Sequence, residues 1–233
     1  MLRCASQKDA ATIGARGNRC KLKHFIIQKR KMKVLLPVFY LPPISWFAVF
    51  LLADDVVLEQ SENFPKQTYR NRATIYGANG RLSLIVPIHH NGKRRMSEIE
   101  VSKREKWQKL HWKSIKTAYQ SSPYFEFYEN KLAEIFTFET DSLLEFSLNA
   151  VAILQKILKT DIDYSLTNEY ESTPTEEDFR GRFSAKQQAE FEMPEYYQTF
   201  SDKFGFEADL SVIDLICNKG PESLTYLNNI IIK

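Results

Sequence analysis

Residues 34–53 read VLLPVFYLPPISWFAVFLLA, twenty consecutive residues without a charge, between the basic run 29–33 and Asp54-Asp55. A segment this apolar must leave water, either inside a protein core or inside a bilayer. Its length, about 20 residues, would suffice to cross a membrane, and its flanks resemble a signal anchor. Pro37, Pro42 and Pro43 argue otherwise, because each removes a helical N–H donor and adds a steric clash. A strand over 33–36, a proline-rich turn and a helix over 43–52 satisfy the same residues. Pro43 then falls in the first helical turn, where its missing N–H is harmless. The expectation is a buried strand–turn–helix, without stable membrane insertion.

The rest of the chain divides by period. Residues 56–60 read as a short strand, and 69–76 are compatible with extended chain. Asn79-Gly80 makes a turn into a buried strand over 82–88, and Ile99 and Val101 suit another short strand. From 104 to 120 the period changes. Trp107, Leu110, His111, Ser114, Ile115, Ala118 and Tyr119 follow helical spacing, with most lysines of the segment on the opposite side. A second helix follows Pro123, and Thr140 or Asp141 is placed to cap a third over 143–158. Residues 161–166 suit a strand, 168–193 read as a polar loop, and short helices follow around 211–217 and 224–227. Strands come early and helices dominate later. This predicts an α/β (or α+β) domain over 33–233, with a small sheet from the N-terminal half and a helix-rich C-terminal half.

Charge is distributed unevenly. The formal net charge is +3, but residues 1–33 hold ten Lys and Arg against Asp9 alone, leaving the remainder at −6. An acidic body disfavours a nucleic-acid surface. Residues 1–32 are expected to be a basic leader. It suits a nucleic-acid or membrane arm, a targeting segment, or translation from an upstream start. Met32 directly before the first strand favours the last, or a disordered tail. Cys4, Cys20 and Cys217 form no disulfide framework or metal motif, which fits a reducing cytoplasm. Phosphate-binding glycine loops, nucleophile elbows and zinc spacings are also missing from the sequence.

Candidate chemistry concentrates in Lys66-Gln-Thr-Tyr-Arg-Asn-Arg72. Arg70 and Arg72, helped by Lys66, suit a phosphate or carboxylate, and Tyr69 and Asn71 suit a hydroxyl-bearing substrate. A solvated connection between strands would have the same composition. His111, on the apolar stripe between Trp107 and Ile115, fits either a core histidine or a general base. Tyr124, after Pro123, can stack on a ring. Asp54, Asp55 and Glu59 would suit magnesium beside a phosphate. His89-His90 invites a metal reading that strand geometry opposes, since adjacent side chains point to opposite faces.

These pieces together resemble the WbqC-like family of bacterial proteins. The likeness is carried by Tyr40-Leu-Pro42 with Trp46-Phe47, by Tyr69-Arg-Asn-Arg72 with Gly77-Ala-Asn-Gly80, and by Leu84-Ile-Val-Pro-Ile88. It continues through Trp107, His111, Lys113-Ser-Ile-Lys116, Tyr119 and Ser122-Pro-Tyr-Phe125, to Gly205-Phe206, Leu210-Ser211, Asp214-Leu215 and Asn218-Lys-Gly-Pro221. The resemblance spans 33–228. It implies a cytoplasmic protein of O-antigen or other surface-polysaccharide synthesis, with a small-molecule substrate such as a nucleotide sugar or lipid-linked glycan. The implied activity is transfer of glycine, another amino acid or an acyl unit to an activated sugar. Tyr40 joins the candidate site through this likeness. Many members carry His-Gln-Pro-x-Tyr-Leu-Pro-Trp after the first strand. Here Leu36 stands for the histidine and Pro43 for the tryptophan. That departure keeps open an alternative, a non-catalytic binding or assembly factor on the same scaffold.

Overall fold

The computed structural model describes residues 32–89, 92–183 and 191–232. These belong to one compact unit. The leader expected over 1–32 lies, apart from Met32, outside the described residues, and so do His90 and residues 184–190.

The apolar stretch folds as its prolines require. Strand β1 (Lys33–Pro37) leads through a buried turn into helix α1 (Ile44–Leu52), which returns to strand β2 (Asp55–Glu59). Every residue of α1 from Ile44 to Phe50 is buried. Its composition therefore reflects a helix covered on all sides. Trp46, within it, stacks on Phe50 with ring centroids 4.9 Å apart and donates its indole N–H to the Pro37 carbonyl at 2.8 Å. Pro43 offers no side-chain cap. Asp209 supplies one from far along the chain, accepting from Ser45 N at 2.8 Å and Ser45 Oγ at 2.9 Å. Among the described residues, no helix is long and apolar enough to cross a membrane.

A β-hairpin follows, β3 (Arg72–Gly77) and β4 (Gly80–Ile85), closed at Gly77 and Gly80. Gly80 has φ +93°, a conformation that favours glycine. Three helices come next, α2 (Trp107–Tyr119), α3 (Phe125–Thr137) and α4 (Leu143–Leu158). Neither residue expected to cap α4 does so. Ser142 is the cap, accepting from Glu145 N, while Thr140 accepts from Ser142 N and bonds the Glu145 carboxylate. Short strands β5 (Ser165–Leu166), β6 (Glu177–Asp178) and β7 (Phe191–Glu192) precede helices α5 (Ser201–Phe204), α6 (Val212–Lys219) and α7 (Ser223–Asn228) and strand β8 (Ile231–Ile232). The fold is mixed α/β, with a small parallel sheet and a helix-rich C-terminal part.

Strands β5, β2, β1 and β6 form that parallel sheet, in that order. The chain thus winds outward from β1 through β2 to β5, then returns to the other side of β1. Such a reversal commonly opens a ligand crevice beyond the strand ends. Here aromatic side chains of the molecule itself pack beyond the end of β1. The segment expected as a polar loop, 168–193, supplies β6 and then Phe179 and Phe183, both buried. Phe183 packs edge-on against Phe39 at 5.6 Å. Phe191, from the same segment, is buried as well and stacks on Phe183, so aromatic side chains anchor an otherwise acidic stretch. Beside them, Arg180 donates to the wholly buried Glu59 at 2.9 Å and to Asp178 at 2.7 Å. Glu59 also accepts from Ser61 N and Thr167 Oγ1, both at 2.7 Å, so its charge is compensated within the protein.

Candidate functional site

Residues 60–71 leave β2 and cross the molecule to the hairpin. Two ladders pin them. Phe64 N donates to the Arg94 carbonyl at 2.6 Å, and Met96 N to the Glu62 carbonyl at 3.0 Å. At the far end, Asn71 clamps Val86 twice. Its carbonyl accepts from Val86 N at 2.8 Å, and its Nδ2 donates to the Val86 carbonyl at 3.1 Å. Between the pins Gln67 adopts φ +63°, an uncommon conformation for a side chain of this kind.

This bend and the segment 85–88, which leaves the end of β4, enclose a groove of about 480 Å³, lined by Phe64, Lys66, Gln67, Asn71, Arg72 and residues 85–88. Phe64, Lys66 and Ile88 also line a second lobe of about 520 Å³, which continues past His89, Lys93 and Arg94. The first lobe is largely apolar and the second more polar. Among the described residues, no Asp or Glu lines either lobe. Among the described residues, Lys66, Arg72 and Arg94 have no acidic partner, whereas Lys93 is paired with Glu100. Beneath the first lobe, Asn71 Oδ1 and Arg72 Nε are buried without hydrogen-bond partners. Such groups are uncommon in folded proteins and mark places where a partner completes the structure.

The candidate residues therefore separate. Lys66, Asn71 and Arg72 meet in the groove, while Arg70 turns inward. Its side chain is 5% exposed, with Nε and Nη2 fixed on Glu62 at 2.6 and 2.7 Å. It also lies over the Phe39 ring and near the Arg180 carbonyl. Strand alternation does not produce this split, since residues two apart in extended chain share a face; Arg70 lies in the turn before β3, which begins at Arg72. Tyr69 is buried against Phe39 at 5.5 Å, and burial pushes its phenol up to about 12. Tyr124 is half-buried at the start of α3, bonded through its N–H to the Cys217 carbonyl and packed against Gly220, away from the groove lining.

Tyr40 and His111 meet each other one layer behind the groove. Tyr40 OH lies 2.8 Å from His111 Nδ1, within a cluster completed by Trp107 and Phe146. Burial lowers the His111 pKa to about 4, partly opposed by a hydrogen bond to the Ile85 backbone. An imidazole whose Nδ1 accepts from Tyr40 presents Nε2–H to that carbonyl, so both nitrogens are occupied. The proline-rich turn does not line the groove; its Phe39 and Tyr40 face the interior. Asp54 precedes β2, Asp55 begins it and Glu59 ends it roughly 13 Å away at strand rise, so the three do not converge. Among the described residues, no three His, Cys, Asp or Glu side chains are grouped to hold a metal ion.

Sequence reading missed the second lobe. It also missed Glu62 as the partner of Arg70, eight residues away. An acid at that distance has no fixed geometry until the loop folds.

A model of the WbqC-like protein family matches residues 38–190, which include every groove residue named above. The chain belongs to the WbqC-like family. An uncharacterised protein of Mycobacterium tuberculosis, Rv1507c, is 24% identical over 217 residues, covering 81% of this chain and 94% of that protein. No solved structure matches. The family match starts at Val38 and does not reach Leu36.

Proposed function

We propose that this WbqC-like protein binds a small organic anion in the groove and serves a group-transfer step in cytoplasmic surface-polysaccharide synthesis. The substrate would be an activated sugar and the group an amino-acid or acyl unit. The observation that carries the binding reading is the set of acid-free cations, Lys66, Arg72 and Arg94, around a groove with no carboxylate in its lining. A folded protein ordinarily screens such charges with nearby acids. An arrangement lacking them favours an incoming anion. The polysaccharide context rests on family membership.

A second reading, binding without catalysis, is favoured by His111. Its nitrogens are satisfied inside the protein, and a base with a pKa near 4 is weak at neutral pH. Among the described residues, His89, exposed in the second lobe, is the imidazole that lines the groove.

Thermal-shift and calorimetric titration with inorganic phosphate, pyrophosphate and glucose 1-phosphate tests the binding reading. Stabilisation that Arg72→Ala weakens by about tenfold in affinity is expected. No stabilisation by any of them, or binding indifferent to Arg72, removes the reading. Transfer of a labelled acyl or aminoacyl group to a sugar would then separate enzyme from binder.

A further inference from the structure

We infer that the two lobes form one bipartite site for an asymmetric organic diphosphate, with an apolar or planar substituent on one side and a hydroxylated substituent on the other. This rests on the anion-binding reading above and specifies the ligand. The lobes share Phe64, Lys66 and Ile88, so Lys66 stands at the junction and not at an end. Charge on the ligand is therefore expected in its middle. Arg72 flanks the junction from the first lobe and Arg94 from the second, and neither has an acidic partner among the described residues.

The walls differ in chemistry. On the first side Ile85, Val86 and Pro87 extend the shared Phe64 and Ile88 into a surface for a flat or apolar group. On the second, Asn63, His89 and Arg94 stand beside Phe64, Ile88 and Ile99, a more polar surface than the first and one that can meet hydroxyls. Each lobe alone has the size of a small-molecule pocket, and a bare phosphate would leave most of both unfilled. The wall between them is stiff. Phe64 N to the Arg94 carbonyl, Ile88 bridged to Val101 and His89 N to the Glu100 carbonyl tie its three segments together. The lobes thus keep a fixed separation, which selects ligand length as well as charge.

A nucleoside diphosphate sugar and a prenyl diphosphate sugar share this chemistry, and their difference distinguishes a planar base from a hydrocarbon tail on the 85–88 wall. Titrations of the full chain would compare pyrophosphate, UDP-glucose and a short-chain prenyl diphosphate glucose, using wild type, Arg72→Ala, Arg94→Ala and His89→Ala. The melting temperature of each free variant would establish that it is folded. Expected is at least tenfold tighter binding of one two-substituent diphosphate over pyrophosphate. Arg72→Ala should weaken all probes. Arg94→Ala and His89→Ala should weaken the two-substituent probe about tenfold and pyrophosphate much less.

If pyrophosphate binds through Arg72 but the larger probes gain nothing, or ignore Arg94 and His89, the bipartite site is refuted while anion binding stands. If none of the three binds, both readings fail.

Discussion

His111 offers the sharpest quantitative test, because its environment converts directly into a pH-dependent stability. The ring is 7% exposed, bonded to Tyr40, and its pKa falls to about 4 from 6.5. Between those values the unfolded chain binds a proton that the folded chain refuses, so stability increases with pH through that window and is lost on acidification. Integrating from pH 7 to pH 4.5 gives a loss of about 2.5 kcal/mol from this residue alone. Other groups titrate over the same range, so the measurement must be a difference. Urea unfolding of wild type and His111→Gln at both pH values isolates it. At pH 7 the variant should be the less stable, having lost the fitted ring. At pH 4.5 the gap should shrink by about 2.5 kcal/mol or reverse, a relative midpoint shift of roughly 1.2 M urea at a slope of 2 kcal/mol/M. A gap that is the same at both pH values refutes the buried, neutral imidazole. So would a wild-type NMR titration placing His111 near 6.5, a readout that does not depend on the variant folding.

Arg70 and Arg72, two residues apart, should fail in opposite ways. Arg70→Ala leaves Glu62 buried and unpaired, and should cost about 3–5 kcal/mol of stability in chemical denaturation. Arg72→Ala should move the unfolding midpoint little, its effect appearing in anion affinity. An Arg70 variant as stable as wild type would mean that the Glu62 pair is not closed in solution. Asp214 predicts a pH effect of opposite sign to that of His111. Burial raises its pKa to about 6 despite hydrogen bonds from Tyr196 and Gln198. Its stabilising contribution is full below about pH 4 and is lost as pH rises through 6. Asp214→Asn, close in shape to the protonated acid, should flatten that slope, by roughly 2–3 kcal/mol between pH 4 and pH 7. Parallel stability–pH curves for the two proteins would count against it.

Local sequence was informative wherever a residue's own geometry is the constraint. Prolines 37, 42 and 43 dictate strand, turn and helix whatever surrounds them, and the 107–119 stripe closes into α2 because helical period alone brings those residues together. Asn79-Gly80 likewise marked the hairpin end. Reading failed where partners come from afar. Residues 168–193 looked like a loop because β6 is two residues long and gains its identity by pairing with β1, some 140 positions earlier. The α1 cap is Asp209, on the opposite side of the sequence from Ser45.

The candidate site divides on the same line. That cations gather at 66–72 is written in the chain, as is the family likeness that draws attention to them. Which of them meets solvent was decided by the fold. Arg70 lies in the turn before β3 and Arg72 begins the strand, so strand alternation does not separate them, and packing alone sets which one is buried. Glu62, Phe39 and Arg180 then claim Arg70, while the absence of any acid beside Arg72 leaves its charge to the groove. Residue types and local periods are properties of neighbours along the chain. Burial and charge pairing belong to neighbours in space, and those exist only once the chain has folded.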